Sequence, residues 1–250
     1  MRLVGPLSPL LAGPARPDPA TADVYGKLMD DVDAAVDVVR DGAAVMVGGF
    51  GGAGFPFALR DALARKRRMN LTVIANNGDF GQLAYDGGLR RLICSYPTGP
   101  SGQLVAEQIE AGNVELLITP QGTFVEQIRA RAAGLGGILT PTGVGTELAE
   151  RFQIVSVEGR DYVLAPALSA DVALVRAAVA DTAGNLSCRL AARNFNPIMA
   201  MAASYTIAQV NTVVAVGELD PDLVHVPSPF VDRIVIVPDE TQTREKAARG

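Results

Sequence analysis

The chain has 250 residues, 48% hydrophobic and 20% charged, with a formal net charge of −5, enough to bury one large α/β core or two small ones. That acidic balance excludes the basic stripe of a nucleic-acid binder, and the clusters Arg65-Lys66-Arg67-Arg68 and Arg90-Arg91 read as solvated helix ends. Two cysteines, Cys94 and Cys188, make no disulfide scaffold and fit a reducing cytoplasm, while a single histidine, His225, leaves no multi-histidine metal site.

Residues 1–22 read as a disordered extension, because Pro6, Pro9 and Pro14 interrupt the apolar stretch that a secretory signal needs. No later run is long and uncharged enough to predict a membrane span. From Asp23, the residues Val24, Leu28, Val32, Val36 and Val39 recur at helical steps, and Asp41-Gly42 closes that predicted helix. A strand over Ala44–Val47 runs into five glycines between Gly48 and Gly54, and Pro56 opens a helix carrying Leu59 and Leu63. Leu71–Ala75 reads as a buried strand ending in Asn76-Asn77-Gly78, and Leu92–Cys94 as a short one. A helix over Leu104–Ala111 and a strand over Val114–Ile118 follow, and Pro120-Gln121-Gly122-Thr123 then leads into a helix over Phe124–Ala133.

Past Ile138-Leu139 comes a further Gly-containing loop, Thr140–Thr146. Ile154–Val157 and Tyr162–Ala165 form a predicted hairpin, and Ala173–Val179 and Leu186–Leu190 flank a turn over Asp181–Asn185. Pro197–Ala203 starts a helix, Thr206–Val210 and Val213–Val216 read as two strands, and 238–250 as a loose tail. His225, between two valines, reads as structural. Residues 23–237 thus make one α/β domain with an open, mostly parallel sheet covered by helices on both faces, since its strands are continuous apolar runs.

Ligands of such sheets bind at the carboxyl ends of strands, and the loops Gly48–Gly54, Asn76–Gly78, Pro120–Thr123 and Thr140–Thr146 all follow strands. The glycine loop exposes backbone N–H groups before a helix, an arrangement suited to a phosphate, carboxylate or thioester oxygen; tight strand–helix packing explains the same glycines equally well. Gly49-Phe-Gly-Gly-Ala-Gly54 also satisfies the dinucleotide spacing, but the acid expected about 20 residues on is replaced by Asn76-Asn77, with Asp79 offset. Asn76 and Asn77 either cap a turn or give amide donors to a ligand. Gln121 neither ionises nor attacks, but its amide suits a developing oxyanion. No loop holds a nucleophile beside a base, and Ser95, Ser101 and Thr146 lack a partner histidine.

These loops carry a resemblance. The set Val47-Gly-Gly-Phe-Gly-Gly-Ala-Gly-Phe-Pro56, Leu71-Thr-Val-Ile-Ala-Asn-Asn77, Ile93-Cys-Ser-Tyr-Pro97, Thr119-Pro-Gln-Gly-Thr123, Thr140-Pro-Thr-Gly-Val-Gly-Thr146, Ala191-Ala-Arg-Asn-Phe-Asn-Pro197 and Gly217-Glu-Leu-Asp-Pro221 resembles the alpha subunits of family I (3-oxoacid) CoA-transferases. It is collinear from Asp23 to Val237. The resemblance implies the CoA-transferase fold, a CoA thioester as substrate and no cofactor or metal. It also implies a ping-pong reaction through a glutamyl-CoA thioester, with the nucleophilic glutamate in a separate beta subunit, an α2β2 assembly and a place in aromatic catabolism. This chain has no Glu-Asn-Gly, the family's motif around that glutamate. Gln121 then matches the oxyanion glutamine, and Gly48, Gly49, Phe50 and Gly51 match the glycine motif. Asn76 and Asn77 match the Asn pair near CoA and acyl group, and Gly143 and Gly145 join them as candidate binding residues.

Asn196-Pro-Ile-Met-Ala-Met-Ala-Ala203 resembles the branch that transfers CoA from succinyl-CoA to 3-oxoadipate more than the acetoacetate branch. Two departures stand out: Gly78-Asp-Phe-Gly-Gln-Leu-Ala-Tyr85 replaces a more glycine-rich helix entry, and Thr98 stands where the family has arginine. From the residues alone, an NAD(P)-linked oxidoreductase and a non-catalytic anion-binding module remain the competing readings.

Overall fold

A computed structural model describes residues 23–237 except 24 and 148, so the expectations for 1–22, for Val24 and for 238–250 lie outside the described residues. In chain order the elements are β1 (Leu28–Met29), α1 (Val32–Ala35), β2 (Ala44–Val47), α2 (Phe57–Arg65), β3 (Leu71–Ala75), α3 (Gly81–Tyr85), β4 (Leu89–Cys94), α4 (Gly102–Glu110) and β5 (Glu115–Ile118). Then follow α5 (Gln121–Ala132), β6 (Gly137–Thr140), β7 (Gln153–Val157), β8 (Arg160–Pro166), β9 (Ala170–Asp181), β10 (Leu186–Ser187), α6 (Asn196–Ala202), β11 (Ala203–Val214) and β12 (Arg233–Ile236).

The main sheet has the order β1-β12-β11-β9-β2-β3-β4-β5, all parallel, with β10 attached antiparallel to β9. Successive residues serve opposite faces. Val45, Val47, Val73 and Leu174 join the core under α1 to α4, while Met46, Ile74, Ala173 and Val175 join the core under α5 and α6. Burial on both faces explains why these strands read as unbroken apolar runs. A second, antiparallel sheet, β6-β8-β7, closes on α5 through Gln127, whose Nε2 donates to Pro166 O at 2.7 Å. Its hairpin turns at Glu158 and Gly159, both with positive φ (51° and 78°), which matches the right-handed twist of the strands.

Strands β2 to β5 step outward in one direction, and β9, β11 and β12 in the other, so the order reverses between β2 and β9. The two halves are also staggered. Val47, the last residue of β2, pairs with Leu174, yet β9 continues to Asp181, about 20 Å further. The long strands thus stand as a wall beside the ends of the short ones.

Several expectations need correction. Leu28 is not helical: Leu28 and Met29 pair with Ile234 and Val235 at the sheet edge, and edge pairing overrides the helical spacing. Arg90 and Arg91 end no helix but lie within β4, which starts at Leu89, and Arg91 pairs across the sheet with Glu115 at 2.7 Å. Arg65, Lys66 and Arg68 do end a helix, held by Asp33 and Asp37. Thr206–Val210 and Val213–Val216 are one strand, because β11 keeps register with β9 through Asn211. Leu190 leaves strand geometry for a 3₁₀ turn, Leu190–Arg193. Thr140–Thr146 follows a strand of the small sheet, not of the parallel one.

Candidate functional site

The glycine loop leaves β2 at the point where strand order reverses. Its tip is a tight hairpin in which Phe50 and Ala53 exchange backbone hydrogen bonds of 3.0 Å, and Phe50 stands 50% exposed. Its base is dense. A Cβ on Gly48 would lie 2.0 Å from Asn196 Oδ1, and one on Gly49, at φ +107°, would lie 2.8 Å from Phe55 Cα. At Gly51 and Gly52 an added Cβ meets nothing within 4 Å. Close packing therefore explains Gly48 and Gly49, while Phe50, Gly51 and Gly52 form an open tip.

Asn196, at the start of α6, clasps that base. Its Oδ1 accepts from Arg176 N of β9 (2.8 Å), and its Nδ2 donates to Gly54 O and Ala192 O (both 3.0 Å). The side chain is 1% exposed, and its bonds to Arg176 and Gly54 join separate segments, so the residue is a rivet between the two halves of the sheet. Beside it Phe195 packs on Phe124 of α5, ring centroids 5.6 Å apart, tying the glycine loop's support to the helix that carries Gln121.

Asn76, Ser95 and Gln121 follow β3, β4 and β5, whose ends lie level in the sheet. Asn76 is 3% exposed, and its Oδ1 accepts from Gln121 Nε2 and from Ser95 Oγ, both at 2.7 Å. Tyr96 N donates to Asn76 O at 3.0 Å, which closes the turn after β4 onto the turn after β3. Gln121 itself is exposed and is the first residue of α5, where backbone N–H groups point out of the helix and favour negative charge. Buried Asn77 has an Oδ1 with no hydrogen-bond partner among the described residues, and the same holds for Thr123 Oγ1 in the first turn of α5.

Chemical pattern alone passes over Ser95, which lacks a histidine. The usable signal is positional: Ser95 occupies on β4 the place that Asn76 occupies on β3. Asn196 stands in the sequence only as part of its motif, and its place in the loop base is not legible there.

Asp79, the offset acid of the dinucleotide reading, is committed elsewhere. Its carboxylate accepts from Arg60 Nη1 (3.1 Å), Ser101 N (3.2 Å) and Ser101 Oγ (2.7 Å). Arg60 also lies 5.6 Å from the ring centroids of Phe55 and Phe57. Phe57, Arg60, Asp79 and Ser101 border a cleft of about 860 Å³ between α2, α3 and α4. The departure after Asn77 is thus a built clamp, and Gly78 is needed there because a Cβ would sit 2.1 Å from Pro97 O. Thr98 contributes its carbonyl, which accepts from Gly78 N. Gly143 and Gly145 lie in a loop with internal hydrogen bonds from Val144 N to Pro141 O and from Thr146 N to Gly143 O.

Neither thiol is a nucleophile. Burial pushes Cys94 and Cys188 up to about 11. His225 is held below its usual range by burial and then by the Arg193 charge, and its Nδ1 accepts from Cys188 N at 3.1 Å. Among the described residues no three His, Cys, Asp or Glu side chains gather to hold a metal ion, and no helix is long and apolar enough to cross a membrane.

Known proteins match this arrangement. The coenzyme A transferase family model matches residues 29–236. The A-subunit of 3-oxoadipate CoA-transferase from Acinetobacter baylyi is 47% identical over 208 residues, 81% of this chain and 91% of the relative. The A-subunit of succinyl-CoA:3-ketoacid coenzyme A transferase from Xanthomonas campestris pv. campestris is 45% identical over 204 residues, 80% of this chain and 84% of that one. Among solved structures, an acyl-CoA transferase of Escherichia coli O157:H7 in a thioester complex with CoA superposes with a TM-score of 0.78 at 25% identity. That match covers 86% of this chain and 48% of the other, so the chain spans about half the length of that enzyme. With the parallel sheet, the glycine loop and the ordered motifs in agreement, the chain belongs to the coenzyme A transferase family, among its alpha-type subunits.

Proposed function

We propose that this chain is the oxyanion-binding half of a CoA-transferase that moves CoA from succinyl-CoA to a 3-oxo acid, 3-oxoadipate before acetoacetate. The observation that carries the reading is Gln121: an exposed amide at a helix start, pinned by the buried Asn76. A free surface glutamine loses up to about 2 kcal/mol of rotamer entropy when fixed, more than a neutral hydrogen bond of about 1 kcal/mol returns. Folding gains little from that restraint, whereas a reaction that develops negative charge gains a preoriented donor.

In this scheme the partner subunit's glutamate carboxylate attacks the acyl-CoA carbonyl. The carbonyl oxygen becomes anionic and takes the second N–H of Gln121 Nε2, the first being held by Asn76 Oδ1. Collapse expels CoA thiolate and leaves an acyl-glutamyl anhydride. The thiolate then attacks the glutamyl carbonyl and releases succinate, and the 3-oxo acid carboxylate reverses these steps to leave as its CoA thioester. No cofactor or metal enters. Asn77, with its unpaired Oδ1, and the open tip Phe50-Gly51 line the acyl-CoA beside Gln121, with Gly48 and Gly49 shaping the loop behind them. Gly143 and Gly145 complete the binding set on the family match alone. Phe50 and Tyr96, 50% and 60% exposed on these loops, are the apolar surface that the partner covers in an α2β2 assembly of the cytoplasm, where free thiols persist.

Gln121→Ala in the reconstituted complex lowers kcat about 10²-fold or more, the scale of losing one oxyanion donor. Steady-state transfer from succinyl-CoA to 3-oxoadipate measures it, and turnover equal to wild type would remove Gln121 from the role.

A further inference from the structure

Gln121 does not hold itself in place. Among the described residues its side-chain anchor is Asn76 Oδ1, and that oxygen is shared. Ser95 Oγ stands 2.7 Å from it and 3.2 Å from Asn76 O. A hydroxyl has a single proton, and the shorter contact marks the side-chain oxygen as its acceptor. Two donors converging on one atom set the rotation of the Asn76 amide, so the oxygen faces Gln121. Without the hydroxyl, the carboxamide keeps one partner on that side and turns more freely about its last torsion, which is intrinsically broad.

We propose that Ser95 is a positioning residue for the transfer reaction, acting through Asn76 to orient the Gln121 amide. The proposal rests on the oxyanion reading of Gln121. Three features support it. Each member follows a different strand of the parallel sheet, so the relay spans β3, β4 and β5 at one level and inherits the sheet's rigidity. Asn76 is almost wholly buried, and Ser95 is partly so, whereas Gln121 is exposed, so the order runs from the packed interior toward the ligand side. The neighbouring Tyr96 N to Asn76 O bond holds the backbone of both turns independently of the Ser95 hydroxyl, so removing the hydroxyl leaves the turns in place.

The test uses the chain assembled with its partner subunit, with succinyl-CoA and 3-oxoadipate. Ser95→Ala lowers kcat about tenfold, the scale of one neutral hydrogen bond, and leaves KM for succinyl-CoA within about twofold. Ser95→Thr, which keeps the hydroxyl, restores kcat; Ser95→Cys, close in volume but a weak donor, stays as slow as alanine. The thermal unfolding midpoint falls by no more than about 2–4 °C, and equally, in the alanine and cysteine variants, the shift that one lost neutral hydrogen bond gives. In a Gln121→Ala background, Ser95→Ala costs nothing further, since the amide it orients is gone.

Wild-type kcat in Ser95→Ala and Ser95→Cys, with Gln121→Ala still slow, overturns the relay and leaves the oxyanion reading standing. A double variant as slow as the product of both losses also overturns it, since Ser95 would then act apart from Gln121. If Gln121→Ala itself turns over normally, the oxyanion reading fails first and the relay falls with it.

Discussion

Gly48 and Gly52 look alike in the sequence and differ completely in space. Alanine at Gly48 drives its methyl into the Asn196 amide, whose own bonds to Arg176, Gly54 and Ala192 prevent it from moving aside. Gly48→Ala therefore destabilises the chain by about 2 kcal/mol or more, in the range of overpacked cores, while Gly52→Ala leaves the midpoint of urea unfolding near wild type. Equal midpoints would show that Asn196 is not a rivet. Sequence pattern allows these glycines either close packing or ligand contact, and the structure divides them by position: packing at the base, openness at the tip. That division is illegible in the sequence because the residue that makes it, Asn196, lies 142 positions beyond Gly54. Asn76 and Gln121 are legible because each sits in a polar turn at a strand end. Buried thiols add a pH dependence. Cys94 and Cys188 titrate near 11 when folded against 9.0 ordinarily, so the unfolded chain ionises first and stability falls as pH rises from 9 toward 11. Below pH 9 neither thiol contributes, and iodoacetamide at pH 8 labels both only after unfolding.

Among the elements, α3 is the least legible and the most consequential for the site's surroundings. Five residues from Gly81 show no helical repeat, and the segment exists because Asp79 fastens it, bonding Arg60 of α2 on one side and Ser101 at the start of α4 on the other. Asp79→Ala removes the acceptor of Ser101 N and Oγ and one of the bonds to Arg60, which keeps the Asp61 carboxylate and the Asp79 carbonyl, and costs about 1–2 kcal/mol of stability. Urea unfolding of the isolated chain measures that loss, and hydrogen exchange places it: α3 and α4 open before β3. A loss below about 0.5 kcal/mol would mean that Asp79 behaves as a surface charge. Strand boundaries are obscured for related reasons. Arg90 and Arg91 hide the first half of β4, because a cross-strand ion pair between exposed side chains gives a run that reads as loop. Asn211 splits β11 by pattern, yet in the sheet its Oδ1 receives a hydrogen bond from Arg176 Nη2 at 3.3 Å, so a polar residue continues the strand. Helices and strands with unbroken apolar faces, such as α2, β2 and β3, are legible to within a residue or two.

Taken whole, the described residues gather hydrogen-bond donors at the ends of β3, β4 and β5 with no attacking group in their bonds. Among the described residues no carboxylate, thiol or imidazole stands beside Asn76, Ser95 and Gln121 in the bonds they make, and the sequence lacks Glu-Asn-Gly. The purified chain alone therefore transfers no CoA, and addition of the partner subunit restores activity; a CoA adduct released by hydroxylamine forms on the partner and not on this chain. Robust turnover by the single chain, or an adduct on it, would end the shared-site account. The absence of Glu-Asn-Gly is legible in the sequence, and the family resemblance is what gives that absence a meaning. The reversal of strand order at β2 and β9 is not legible there, because it depends on pairings between segments far apart in the chain.

The parallel course of β12 has one more consequence. Its register with β11 continues that of β9 with β2, so Val237 emerges at the same border of the sheet as the glycine tip, three strands away. A peptide tether attached after Val237 starts on that same edge of the sheet and need not circle it to reach the glycine tip. Joining the second polypeptide there in a single open reading frame raises its local concentration to about the millimolar range for a short flexible tether, which turns a dilution-sensitive pair into a dilution-proof enzyme.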